Sequence, residues 1–169
     1  MDNSKNLLKL KIHYNNLFQK FKESYKTAQQ SSRETQEKRI RILIENFKLN
    51  EKDKILDFGC GTGLFVERTI KYKPKKIVGI DISEVSIDKA KKNAKKMLLD
   101  AEYYVDNCEK TRFESNSFDI VYGTGILHHL EFNKCLDEIH RILKSNGSLI
   151  FIEPLGTNPI INLYRKLTP

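Results

Sequence analysis

What this chain has little of narrows it first. It carries only three cysteines in 169 residues, Cys60, Cys108 and Cys135, an odd number at scattered spacing. That excludes a disulfide framework and reads as reduced thiols, the usage of a cytosolic protein. No apolar run comes near the roughly 20 residues that a membrane-spanning helix needs, and the opening Met1-Asp2-Asn3-Ser4 holds no apolar signal segment. The expectation is a cytoplasmic chain without a membrane span. Neither His128 nor His129 pairs with a cysteine or a further histidine at zinc-ligand spacing, so no metal site is expected. Internal repeats and low-complexity linkers are also missing, and the length fits one domain.

What is plentiful is lysine. Thirty basic against 22 acidic residues leave a net charge of +8. Lys71, Lys73, Lys75 and Lys76 form one cluster, and Lys89, Lys91, Lys92, Lys95 and Lys96 another. A nucleic-acid stripe is one reading, because lysine–phosphate contacts dominate such affinity. Few aromatics are interleaved and arginine is scarce there, so the expected partner is a small molecule rather than RNA or DNA.

The hydrophobic fraction of 39% permits a proper core, and its pattern alternates strand with helix. Short apolar runs fall near 54–58, 76–81, 102–105, 118–122 and 148–152. Ile87, Ala90, Ala94, Met97 and Leu98 mark one helix face between them, and Leu136, Ile139, Ile142 and Leu143 mark another. Asn146-Gly147 reads as the end of the last helix. This order implies a parallel sheet with helices on both faces. Residues 5–47 read as helical, with a polar break at Gln29 to Ser32.

The densest information lies in Ile55-Leu56-Asp57-Phe58-Gly59-Cys60-Gly61-Thr62-Gly63. Three alternate glycines after an apolar run let the backbone turn sharply and approach a ligand. The amphipathic segment from Leu64 then presents its free N–H groups to the loop. Val78-Gly79-Ile80-Asp81 adds a second run ending in an acid at the interval of a ribose-binding carboxylate. Dinucleotide folds want the third glycine where Leu64 stands, and no Lys-Ser or Lys-Thr follows, which excludes a triphosphate loop. An acid just before the first glycine sits badly beside a pyrophosphate. Asp57 suits a cationic ligand, and S-adenosylmethionine (SAM), with its ammonium and sulfonium, fits that description. Other uses stay open: Asp57 as a loop-capping acid, Asp81 as a charge at a helix start, Asn107 as a turn residue.

Asp57, Gly59, Gly61 and Gly63 match the acid-x-G-x-G-x-G motif position by position, and the chain here resembles the class I SAM-dependent methyltransferases. The likeness continues through Asn107-Cys108-Glu109, Phe113 and Asn116-Ser117-Phe118-Asp119, then Leu127-His128-His129-Leu130, then the helix from Leu136 to Lys144 with Gly147. It implies an α/β, Rossmann-like doubly wound sheet of strand order 3-2-1-4-5. Residues 1–50 would form a helical lid, in which Tyr14 or Tyr25 touches substrate, and 51–154 the SAM-binding domain. Residues 155–169 would form a loop and short helix.

The resemblance also implies roles. Gly59, Cys60, Gly61 and Gly63 would cradle the methionyl part through their backbone, Asp57 would orient its ammonium, and Asp81 would hold the ribose, with Ile82 and Gly123 beside the cofactor. Either Asn107, in register with the family, or Asp106, one place early, would meet the adenine, with the Cys108 backbone. His128 is the candidate general base, or else a packed histidine. The implied function is methyl transfer to a small-molecule acceptor. A SAM-binding regulatory subunit and a nicotinamide-dependent oxidoreductase are the alternatives. The family's strands 6 and 7 have no counterpart after Pro154, so the fifth strand is expected as an uncovered edge, open to self-association.

Overall fold

The last four residues of β1 (Lys54–Phe58) are buried, because this strand is paired on both sides. Ile55 and Leu56 point to opposite faces and both are fully buried, as a strand inside a two-faced sheet requires. The computed structural model describes residues 51–69 and 72–153, with isolated positions 12, 37, 38, 41 and 49. Apart from those positions, the expected lid over 1–50, with Tyr14 and Tyr25, and the loop and helix at 155–169 lie outside the described residues.

From β1 the chain runs through α1 (Leu64–Thr69), β2 (Lys76–Asp81), α2 (Glu84–Lys96), β3 (Glu102–Val105), β4 (Phe118–Thr124), a 3-10 turn (Leu127–His129), α3 (Phe132–Ile142) and β5 (Leu143–Ile152). The strands form one five-stranded sheet of order β3-β2-β1-β4-β5, and every pairing is parallel. The direction of winding reverses between β1 and β4, and ligands of such sheets bind at the carboxyl ends beside that reversal. Phe58, the last residue of β1, aligns there with Ile80 of β2 and Gly123 of β4.

One face of the sheet packs Leu56, Phe58, Val78, Ile80, Phe118 and Val121 against Cys135, Ile139 and Ile142 of α3. Elsewhere Ile55, Ile120 and Ile150 gather around Phe65 and Tyr122, whose rings stack at 3.9 Å. Ile87, Ala90 and Ala94 of α2 cover Ile77 and Tyr103.

Two expectations need correcting. Met97 and Leu98 do not continue the apolar face of α2. The helix ends at Lys96, Leu98 takes a left-handed turn with φ 53°, and its side chain is 93% exposed. The turn closes when Leu99 N–H donates to the Ala94 carbonyl at 2.9 Å, so Leu99 rather than Leu98 packs inward. The fifth strand also begins at Leu143 rather than 148. Phe118 aligns with Leu143 but Ile120 with Ser148, so Lys144 to Gly147 bulge out of the ladder and Asn146-Gly147 does not terminate the helix. Lys144 Nζ bonds the Asp119 carboxylate at 2.8 Å across that bulge, and the Lys54 N–H donates to the same group at 3.0 Å. Among the described residues β5 is an edge, and its Leu149 is exposed.

The loop between β3 and β4 is fastened to α3 by one buried acid. Glu138 accepts from the Thr111 N–H at 2.7 Å and from its hydroxyl, and Arg141 Nη2 and Nε reach it at 2.6 and 2.9 Å. Burial pushes its carboxyl up, but these bonds outweigh burial and hold it below its ordinary value of 4.5. The unfolded chain therefore takes up the proton first, and the contribution is present at neutral pH and fades as pH falls through the acid range. Glu138→Ala is expected to lower stability by about 2 kcal/mol at pH 7, the worth of a bond to a charged group, and by less under acid conditions. Urea titration at both pH values checks this.

Candidate active site

The site begins where β1 stops. Gly59, Gly61 and Gly63 all take positive φ, at 75°, 53° and 82°, a conformation that side-chain-bearing residues rarely adopt. Gly59 and Cys60 N–H both donate to the Ile80 carbonyl, at 2.9 and 2.8 Å, which folds the loop back over β2. The three glycines are spent differently. A Cβ on Gly59 would stand 2.7 Å from Ile126 Cγ1, and one on Gly63 would stand 2.7 Å from the Tyr103 hydroxyl. At Gly61 nothing among the described residues lies within 4 Å. Packing thus explains two of them, and the third faces open space.

Asp81 ends β2 and ties the loop from the other side. Its Oδ2 accepts from Gly61 N–H at 2.9 Å and its Oδ1 from Ser83 N–H at 2.8 Å. The start of α2 is capped by Ser83, whose hydroxyl accepts from Ser86 N–H, so a helix charge is not the main use of Asp81. Burial pushes its carboxyl up, against the amides of Ser83, Gly61 and Ile82. Asp57 is the more costly acid. It is 2% exposed, and its Oδ2 is buried with no hydrogen-bond partner among the described residues. Burial, reinforced by the negative charge of Asp81, drives its carboxyl well above the ordinary range. A nearby cation would favour the charged form of a carboxyl so placed.

Of the two candidates behind β3, Asp106 is already engaged. Its Oδ2 accepts from Arg112 N–H and Nε, at 3.1 and 3.0 Å, and its Oδ1 from Asn107 N–H. Asn107 makes the expected turn, its Oδ1 accepting from Glu109 N–H at 2.9 Å. Arg112 also donates to the Val105 carbonyl and lies over the Tyr104 ring at 4.8 Å. Cys108 and Cys60 are buried, and burial first pushes both thiols well up, with the nearby acids adding to it. Neither is poised as a nucleophile. Gly123 lies within β4, and the room left by its missing side chain is filled by the Phe151 ring and Ile126. Ile82 follows β2, half-buried.

His128 sits on the 3-10 turn after β4. Its Nδ1 lies 2.7 Å from Glu153 Oε2, and Glu153 Oε1 accepts from the N–H groups of Ile126 and Leu127 at 2.8 and 3.0 Å. The His129 ring lies against His128, centroids 3.8 Å apart. Sequence reasoning missed the ties made by Arg112 and Glu153. A lone Glu-Pro after β5 was the one available signal for Glu153.

A methyltransferase domain family matches residues 56–151, from β1 into β5 and over more than half of the chain. The chain belongs to the methyltransferase domain family. A ubiquinone biosynthesis O-methyltransferase of Pelagibacter ubique is 34% identical over 129 residues, covering 70% of this chain and 52% of that protein. A sterol 24-C-methyltransferase of Candida albicans is 32% identical over 109 residues, covering 63% and 29%. Among solved structures, the PH0226 protein of Pyrococcus horikoshii superposes with a TM-score of 0.72 at 30% identity, over 82% of this chain and 61% of that one. The chain spans about half the length of the curated relatives it matches. For this methyltransferase-family chain the class I identity and the Rossmann-like sheet stand, and SAM is the cofactor. Among the described residues no helix is long and apolar enough to cross a membrane.

The buried carboxyl of Asp57 gives a sharp prediction. Its raised carboxyl makes the folded state bind the proton more tightly than the unfolded one, so the residue weakens the fold as pH rises through that raised range. Asp57→Asn is expected to raise the melting temperature of the ligand-free protein at pH 7 by about 2–4 °C, the shift for roughly 1 kcal/mol. The same change is expected to weaken SAM binding by about tenfold or more, the loss of one charge-assisted contact. Thermal melts and calorimetry on the two proteins check both.

Proposed function

We propose that this chain transfers the methyl group of SAM to a small-molecule acceptor. The observation that carries the reading is the buried Asp57 oxygen, without a partner among the described residues, in the same loop region as Gly61, where none of the described residues would meet an added side chain. Such a site fits a ligand with a positive amino-acid end. It suits a dinucleotide poorly, because the pyrophosphate would meet the acid at Asp57.

The residues divide the work as follows. Asp57 orients the ammonium, directly or through water. Gly59, Cys60, Gly61 and Gly63 offer backbone to the methionyl part, and Gly123 borders it through its main chain. Asp81 takes the ribose hydroxyls with the lone pairs that Gly61 and Ser83 leave over, next to Ile82. Asn107 and the Cys108 backbone hold the adenine. Asp106 is engaged by Arg112 and the Asn107 oxygen by the Glu109 N–H, so the choice of Asn107 rests on its register with the family motif. The bound cofactor supplies an already activated methyl on a sulfonium. The chain then has to exclude disorder and bring the acceptor into line, and positioning of this kind can lower a barrier by about 7–11 kcal/mol.

The acceptor class is the less supported part. The two named relatives carry O-methyl and C-methyl transfer in their names, so kinship alone does not choose between them. The lysines of α2 are exposed on a helix whose other face is buried, as a solvated face would be, which supports a small molecule over nucleic acid.

Calorimetric titration is the test. SAM is expected to bind at micromolar concentration and NADH not at all. Asp81→Ala is expected to weaken SAM by about tenfold to a hundredfold, the worth of a charge-assisted bond at about 1.4 kcal/mol per tenfold. Because Asp81 also ties down Gly61, the variant is expected to melt earlier as well. Equal affinity in a folded variant would remove Asp81 from the site. Tight SAM binding with no transfer to any acceptor would mark a non-catalytic SAM-binding subunit.

A further inference from the structure

We infer that Glu153 is a positioning residue that holds the His128 imidazole as the proton acceptor for a hydroxyl-bearing methyl acceptor. The inference rests on the methyl-transfer reading above and names its substrate class.

The geometry carries it in three steps. Glu153 Oε1 is occupied by the Ile126 and Leu127 N–H groups, which leaves Oε2 alone to face His128 Nδ1 at 2.7 Å. An ionised carboxylate only accepts, so Nδ1 must carry the proton, and the neutral ring keeps its lone pair on Nε2. Nε2 makes no hydrogen bond among the described residues, and the His128 side chain is 41% exposed. Glu153 is kept ionised: burial pushes its carboxyl up, but the bonds from His128, Leu127 and Ile126 hold it below the usual range.

The pair is also in the right part of the molecule. It stands at the carboxyl ends of β4 and β5, closed by the Gly125 N–H donating to the Ile152 carbonyl at 2.9 Å. Ile126, two residues before His128, packs on Gly59 of the cofactor loop. A shift of the turn would therefore be felt at the cradle.

The chemistry asks for such a group. When a hydroxyl oxygen attacks the methyl carbon, an O–C bond forms and the C–S bond breaks, its electron pair going to sulfur to leave a neutral thioether. The oxygen would remain a protonated oxonium unless its proton departs. His128 Nε2 takes that proton, Glu153 balances the imidazolium, and the proton then passes to water. This is the role of an acid behind a histidine base: it fixes the tautomer and stabilises the charged ring.

A carboxylate that merely capped the turn would have the same two amide bonds, and Glu153→Gln separates the two roles. The amide oxygen can keep Ile126 and Leu127, but its NH2 then faces Nδ1 as a donor. The proton is forced onto Nε2, which can no longer accept. In 15N spectra of histidine-labelled protein at a pH where the ring is neutral, with His128→Asn used to identify the signal, wild type is expected to carry its proton on Nδ1. Glu153→Gln is expected to carry it on Nε2, with an unchanged melting temperature. The same tautomer in both proteins would overturn the inference. With labelled SAM and a panel of catechol, n-butanol and benzylamine, transfer is expected to the hydroxyl members, falling about a hundredfold or more in Glu153→Gln while SAM affinity stays within about twofold of wild type, well inside the tenfold that 1.4 kcal/mol represents. A wild-type chain that binds SAM yet methylates only the amine, or none of the three, would overturn the hydroxyl assignment. Failure to bind SAM would instead defeat the parent reading, and the spectra would still decide whether the pair is built as described.

Discussion

The constraint on which the site depends is a buried carboxyl group at the end of the central strand. Asp57 lies next to last in β1, between Gly79 of β2 and Tyr122 of β4 in register, and almost no solvent reaches it. Asp81 adds a second acid within electrostatic reach. Two carboxylates in a dry corner repel each other and favour the protonated form of one. A fold can keep such an arrangement only if the rest of the sheet is stable enough to carry it. Here the cost falls on the central strand, paired on both sides, where Ile55, Leu56 and Phe58 are fully buried.

Much of the surrounding structure serves to hold the glycine loop against that acid. Ile126 and Tyr103 occupy the space that side chains at Gly59 and Gly63 would need, so the loop cannot slide toward β3 or β4. Asp81 and the Ile80 carbonyl bind its N–H groups from β2. Among the described residues the loop is thus packed at Gly59 and Gly63 and uncovered at Gly61. Preformed in this way, it loses little entropy when a ligand arrives. The same packing connects the loop to the turn bearing His128, because Ile126 belongs to both.

The strands at 54–58, 76–81 and 102–105 were legible to the residue, since each is a short apolar run between turn signals. The strand order came from the resemblance rather than from any periodicity. β5 was misjudged at its start because Lys144-Ser145-Asn146-Gly147 has the composition of a turn, and a bulge uses the same residues. Met97 and Leu98 fit a helical period that the chain does not follow past Lys96. In the candidate site, the motif pointed to Asp57 and the glycines and the second run to Asp81, but neither showed that Asp81 ties down Gly61 and Ser83. Arg112 and Glu153 stayed invisible because their partners are fixed by tertiary contact, and Glu153 is 25 residues from His128.

The central claim is that burial holds the Asp57 carboxyl toward its protonated form and that a bound cation reverses this. Isotope-edited infrared spectroscopy of the Asp57 carboxyl, near neutral pH and with Asp57→Asn as the reference, tests it most directly. The account predicts a protonated-acid band in the ligand-free protein that gives way to a carboxylate band on addition of SAM. A carboxylate band that is already present without ligand and does not change on saturation would contradict it.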